Sequence, residues 1–513
     1  MRSILLLLAV ILLGPVLRAA QPYTPPVFTD TERRSRLEAV LPELDAYFRQ
    51  QAAEKHLPGY AYGIVLDGEL VHAAWGGVAE VETGRAVTRD TRFRIASMSK
   101  SFTALAILLL RDDGKLGLDD PVERHVPQFA GIGRLTADSP PVTIRQLLRM
   151  GGGFPQDDPW GDRRLADSVA EFEQLVAGGL SFSTPPGTGY EYSNLGYALL
   201  GHIVTRVSGE PYQAFITRRI LHPLGMTHTV WEFADIPADR LAYGYRWEHG
   251  QWAREPILHD GVFGAMGGLI TTVDDFARYV AFHLDAWPPR DDADTAPASR
   301  ATRREMHHIA EVVGLVTDNK TLSGQSNPRI AGYGYGLSWN LDSRGISWVR
   351  HAGGLPGFGS EYRFLPEHGV AIISFANHTY APMTALNAQA MEIIIEKAKL
   401  PPRRLPASPS LRQRAGQLAD LVRDWHHASA ADALAPNFFL DRSREDWTAE
   451  SAALLAKLGP VQQVTGVTPL NQLRGTFSLV GPNGRIDAFF TLMPEATPRV
   501  QALTLTFVPA EKK

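Results

Sequence analysis

Cysteine is absent from all 513 residues, so disulfides, thiol nucleophiles and thiolate metal sites are excluded. Charge of one sign is lacking as well. The 51 basic residues are interspersed with 55 acidic ones, for a formal net charge of −4. That balance leaves no basic stripe for a phosphate backbone and argues against nucleic acid as a partner. The apolar run Ile4–Leu13 is too short to span a bilayer comfortably, and no later segment is long enough, so no integral membrane domain is expected. No Gly-rich phosphate loop follows a strand, and no Gly-x-Ser-x-Gly elbow occurs. The pairs His307-His308 and His426-His427 are adjacent, so on a helix their side chains point about 100° apart and share a metal poorly. No cofactor and no metal are expected.

What is present is a chain with 44% hydrophobic residues, ample for real cores and long enough for two or three domains. Arg2, the apolar run and the small residues Ala19 and Ala20 read as a secretory signal over residues 1–20, with an uncleaved anchor as the alternative. The mature protein is then expected in a periplasm or outside the cell.

Residues 30–54 carry apolar side chains at Leu37, Val40, Leu41, Leu44 and Phe48, the period of an amphipathic helix. The stretch "YAYGIVLDGELVHAAWGG" alternates around Asp67-Gly68, a dipeptide suited to a tight hairpin. From Ser97 to about Leu284 the pattern is mostly helical. Then "YGYGLSWNL", "ISWVRHAGG", "GSEYRFL" and "VAIISFAN" read as four strands. Strands at both ends of a helical insert imply one antiparallel sheet, with the terminal helices on one face and the insert beside it. Residues 28–399 are taken as this domain and 400–411 as a Pro/Arg/Ser-rich linker. Residues 412–510 form a small α+β domain, with helices over 411–427 and 447–458 and strands near 461–467, 473–480, 486–493 and 500–508.

Chemistry concentrates in "FRIASMSKSFTALAILLL", Phe93–Leu110. On a helix the i, i+3 spacing puts Ser97 and Lys100 on one face, with Cβ atoms about 5–6 Å apart. Burial disfavours the ammonium form, and a helix N-terminus favours developing negative charge, so lysine can take the serine proton. Over four residues the same motif also fits a mere helix cap. Further along, Tyr192-Ser193-Asn194 sits in a turn before an apolar helix, and His351-Ala352-Gly353-Gly354 ends a strand.

Ser-x-x-Lys, Tyr-x-Asn and basic-x-Gly in that order resemble the serine β-lactamase and penicillin-binding superfamily, in the branch of class C β-lactamases, D-aminopeptidases and esterases. The resemblance runs from about residue 30 to 395 and extends to "TIRQLLRMGGGF", "HPLGMTHT" and "GAMGGLITTVDDFARY". It implies a β-lactamase-like α/β (α+β) fold with Ser97 as acyl acceptor, Lys100 as its base and Tyr192 as acid/base near the leaving group. It also implies that Asn194 holds Lys100 and a substrate amide or carbonyl. The amides of Ser97 and Gly354 would form the oxyanion hole. Ser99 reads as a bystander. A nearby ammonium is expected to lower the Tyr192 phenol from its usual pKa of about 10.

His351 stands where lysine is common, and Ala352 lacks the hydroxyl that helps to bind a substrate carboxylate in the family. Both departures point to esters or amides without an obligatory carboxylate. Asp157, Asp158 and Trp160 fit either a pocket rim or a solvated loop, and the solvated loop is the expectation. The leading expectation is thus an exported esterase-like serine hydrolase acting on a small molecule or peptide. A D-Ala-D-Ala carboxypeptidase, D-aminopeptidase or β-lactamase is the second, and a non-catalytic binding protein the third. The small C-terminal domain resembles nuclear-transport-factor-like cones, and its expected role is packing or pairing into a homodimer.

Overall fold

The computed structural model describes residues 23–510. The expected signal segment, 1–20, lies outside the described residues. The chain forms two compact units, Asp30–Pro402 and residues 23–29 with 403–510. The leader residues 23–29 thus group with the C-terminal part, where Val27 and Arg404 pair through both backbone bonds at 2.8 and 3.0 Å. The segment 400–411 is only in part the expected linker, because the Ser408 side chain caps a helix over Pro409–Arg423.

The first unit is built on a nine-stranded antiparallel sheet. Its order is Arg85–Ala86, Glu69–Glu80, Gly59–Leu66, Val370–Ala376, Phe358–Leu365, Ser347–Leu355, Ser338–Asp342, Arg329–Tyr333, Glu311–Val316. The hairpin turns at Asp67 and Gly68, both in the left-handed region at φ 52° and 88°, and Gly59–Leu66 then pairs with a strand about 300 residues later, Tyr62 opposite Ser374. Alternate residues of this strand feed two cores. Tyr62 and Ile64 join the helices Leu41–Glu54 and Met383–Ile393, while Ala61 and Val65 join the insert. Phe48 stacks on Tyr62 at 4.0 Å. The insert therefore covers the opposite face of the sheet rather than lying beside it.

Two strands depart from expectation. "YGYGLSWNL" is not one strand: the chain breaks at Gly334–Leu337, where Gly336 takes φ 71°, and Ser338–Asp342 folds back on Arg329–Tyr333. The edge strand Glu311–Val316 had no sequence signal. Its register shifts between Val312 and Gly314, and Val312 and Leu315 face solvent, so period-two burial is absent.

The second unit pairs the helices Pro409–Arg423 and Arg444–Leu458 with an antiparallel sheet ordered Gln463–Val464, Arg474–Gly481, Gly484–Leu492, Val500–Pro509. Thr468–Asn471 adds to the Arg474–Gly481 strand. Its core centres on Trp425, whose ring lies 5.2 Å from Trp447 and whose Nε1 donates to Ser451 Oγ at 2.8 Å.

Candidate active site

Ser97 lies in a tight turn, Ala96–Ser99, which runs directly into the helix Lys100–Asp112. Ala96 is held at φ 48°, left-handed geometry that an alanine adopts only when its surroundings impose it. The helix is buried from Lys100 through Leu110, so its first turn cannot shift without disturbing the core. Ser99 helps to fix the turn. Its Oγ donates to Ala96 O at 2.8 Å and accepts from the Leu269 amide at 3.1 Å, which makes it structural rather than a bystander.

Lys100 Nζ donates to Ser97 Oγ at 2.8 Å, Asn194 Oδ1 at 2.7 Å and Met266 O at 3.1 Å. Three acceptors saturate the ammonium. Burial lowers Lys100 to about 8, while Asp158, Asp162 and Asp157 resist that fall. An amine poised there can be neutral in mildly basic solution and is in contact with a hydroxyl.

Tyr192 faces the same lysine, with its ring 4.8 Å from Nζ. Contrary to expectation its phenol is pushed well above the usual value, because burial outweighs the contact with the Ser97 hydroxyl that favours ionisation. A buried phenol beside Ser97 is therefore a proton donor, not a ready phenolate. Asn194 holds Lys100 as expected, and only its expected place beside the substrate differs. It is fully buried, and its Nδ2 donates to Asp158 Oδ1 at 2.6 Å, so it holds Lys100 from beneath and does not line the cavity.

The acidic loop is the part that sequence reasoning placed wrongly. Asp157 accepts from the amides of Asn194 at 2.6 Å and Leu195 at 2.8 Å, capping the helix Asn194–Ser208. Asp158 ties to Asn194. Asp162, only 1% exposed, accepts from Tyr380 Oη at 2.9 Å and is raised to about 6 by burial and by Asp158. Asp157 and Asp162 are therefore not solvated loop acids, whereas Asp158 is exposed at the rim of the cavity that Ser97 lines. All three raise Lys100 against its burial, and the run of aspartates in "PQDDPWGDRR" was the available signal. Trp160 does not line the cavity and packs edge-on against Phe263.

The strand Ser347–Leu355 closes the site. A Cβ on Gly353 would lie 2.2 Å from Ile95 O and 2.4 Å from Ser360 Oγ, so only glycine lets this strand pass the turn that carries Ser97. Gly354 follows it at the cavity wall. His351 accepts at Nε2 from Tyr333 Oη at 3.0 Å and donates from Nδ1 to Ala352 O at 2.6 Å. Burial and Lys100 hold it at about 3, so it is neutral and supplies no cation to a substrate carboxylate. Ser97, Tyr192, His351, Gly353 and Gly354 meet at a cavity of about 370 Å³, whose wall also includes Tyr190, Tyr380 and Arg350.

A turn-borne serine in contact with a buried lysine, a tyrosine against that lysine and a glycine-bearing sheet strand opposite is the arrangement of a serine acyl-transfer site. The family model for Beta-lactamase matches residues 44–394, and the chain belongs to that family of serine hydrolases. It is 27% identical over 367 residues to Beta-lactamase-like protein 2 of Dictyostelium discoideum, covering 70% of this chain and 63% of that protein. It is 26% identical over 349 residues to Protein flp of Staphylococcus aureus (strain COL), covering 66% of this chain and 64% of that one. The chain thus spans less than two thirds of these relatives. In fold it is similar to the octameric penicillin-binding protein homologue from Pyrococcus abyssi, with TM-score 0.58, 21% identity and coverage of 92% and 96% of the two chains. The D-alanine carboxypeptidase AmpC from Burkholderia cenocepacia gives TM-score 0.53, 19% identity and coverage of 69% and 99%. Among the described residues no helix is long and apolar enough to cross a membrane, and no group of three or more His, Cys, Asp or Glu could hold a metal.

Proposed function

We propose that the protein is an exported serine hydrolase that cleaves esters or amides through an acyl-enzyme on Ser97. The observation that carries this reading is the 2.8 Å contact from Lys100 Nζ to Ser97 Oγ, with Lys100 near 8. Neutral Lys100 takes the Ser97 proton as Oγ attacks the substrate carbonyl. The tetrahedral oxyanion faces the amides of Ser97 and Gly354. Tyr192, kept protonated by burial, gives its proton to the departing alcohol or amine and regains one from the Lys100 ammonium, which holds the proton taken from Ser97. Water then attacks the acyl group and restores Ser97. Neutral His351 and the absence of a hydroxyl at Ala352 support substrates without an obligatory carboxylate.

One observation favours a peptidase or β-lactamase instead: Arg350, a cation, borders the Ser97 cavity and could receive a carboxylate. The test is fluorophosphonate labelling, followed by turnover of short-chain p-nitrophenyl esters, a chromogenic cephalosporin and D-alanyl peptides. Wild type labels and Ser97→Ala does not. Equal labelling of the two sinks the assignment, and fast cephalosporin turnover with slow ester turnover selects the second reading. For the C-terminal unit we propose packing or homodimer formation.

A further inference from the structure

A second cavity, of about 470 Å³, lies between the helix Met383–Ile393 and the strands that carry Arg329, Arg350 and Arg363. Four cations line it: Lys320, Arg329, Arg350 and Arg363. Only Arg363 has a carboxylate, Glu361, which it grips at 2.7 and 3.0 Å. Arg329 donates to the Asn340 side chain, and Lys320, Arg329 and Arg350 have no ion-pair partner among the described residues. The acid on the wall, Glu392, is already held at both oxygens by Arg344, at 2.7 and 2.9 Å. Asp318 eases Arg329, and Glu361 eases Arg350, without either acid reaching ion-pair contact.

Half-buried guanidiniums that repel one another are costly to keep together unless an anion joins them. The repulsion is visible: burial, then Arg363 and Arg329, bring Arg350 down to about 10, and burial and Arg363 lower Arg329. The wall also carries the apolar side chains Trp348, Leu365, Met391 and Ile395, beside the polar Asn319, Thr384 and Gln389. Three positive charges without a direct ion-pair partner favour a dianion over a carboxylate, and the guanidinium fork matches phosphate oxygens. The volume exceeds what a bare phosphate fills.

We propose that this cavity binds a phosphate monoester carried on an apolar body, held by Lys320, Arg329 and Arg350 with its apolar part against Trp348 and Met391. Arg350 precedes His351 on the same strand and borders both cavities, so the ligand would sit directly behind the catalytic wall.

The test is titration of the full chain with phenyl phosphate, followed by calorimetry and tryptophan fluorescence, alongside inorganic phosphate, benzoate and phenol as separate arms. Phenyl phosphate should bind at least tenfold tighter than each of the other three, and Ser97→Ala should bind it as wild type does. Arg329→Gln and the exposed Lys320→Gln should each weaken it about tenfold, Trp348→Phe should remove most of the fluorescence change, and affinity should fall below about pH 6 as the monoester loses its second charge. Absence of saturable binding, equal affinity for phenol, or unchanged affinity in both Arg329→Gln and Lys320→Gln overturns the proposal.

Discussion

Two clusters of buried basic side chains lie close together in the first unit, and they have opposite characters. One is Lys100 with Ser97, Asn194 and Tyr192. The other is the pair His283 and His307, linked at 2.8 Å between His283 Nδ1 and His307 Nε2, with Trp287 Nε1 donating to His307 Nδ1 at 2.9 Å. They are joined through Tyr279, which stacks on Phe102 of the Lys100 helix at 3.8 Å and meets His283 edge-on at 4.6 Å. Burial lowers both bases. Around Lys100 three aspartates oppose it, and the amine stops at about 8. Nothing comparable raises the histidines: burial and then Arg303 hold His283 at about 3, and burial, His283, His308, Arg303 and Arg304 keep His307 well below its usual value. The difference is one of neighbours. A buried base with carboxylates beside it stays within reach of both protonation states, whereas one without them is permanently neutral and serves packing.

The largest effect should come from breaking the first cluster. Lys100→Met removes the base and should reduce kcat/KM for an activated ester about 10³-fold while leaving the fold intact, read by steady-state rates beside circular dichroism. An unchanged rate would reduce Lys100 to a buried strut. Tyr192→Phe keeps the ring but removes the proton donor, and should cost about 10²-fold, more for amides than for activated esters because a poor leaving group needs the proton more.

The histidine pair should reveal itself in stability rather than rate. With His283 at about 3 when folded and about 6.5 when unfolded, the unfolded chain binds more protons between those values. Stability therefore falls as pH drops through that window, by up to about 1.4 kcal/mol per pH unit from this group. His351 contributes with the same sign. His283→Asn keeps an acceptor for His307 and should flatten the acid slope in urea melts from pH 7 to 4 while the shape of the rate profile stays the same. A slope as steep as wild type would show that His283 does not titrate in this way.

The smallest effect tests the aspartates. The rising limb of kcat/KM against pH should have its midpoint near 8, set by Lys100. Because Asp162 raises Lys100, Asp162→Asn should move that midpoint downward by on the order of one unit or less. Movement upward, or none, would remove Asp162 from the electrostatics of the site.

The contrast also marks what could be read from the chain. Ser97, Lys100, Tyr192, Asn194 and His351 were legible because Ser-x-x-Lys, Tyr-x-Asn and basic-x-Gly stand in the order of the family they resemble, whereas the serine-lysine spacing alone also fits a helix cap. The sheet was legible where burial on both faces gives a long apolar run, as in Val370–Ala376. It was not legible at Glu311–Val316, where an exposed, irregular edge erases the alternation. Asp157 was misplaced, and Asp162 not singled out, for another reason. Local sequence cannot tell a solvated acid from a buried one, since that depends on Asn194, Tyr380 and Lys100 arriving from elsewhere.

By itself, then, the sequence determined the residue types, their order and the elements that bear them, since periodicity and turn chemistry are local. Tertiary structure alone decided their protonation. A pKa depends on desolvation and on charges that converge from distant segments, which is why Lys100 is poised, His351 is neutral, Tyr192 holds its proton and Arg350 is left facing two cavities.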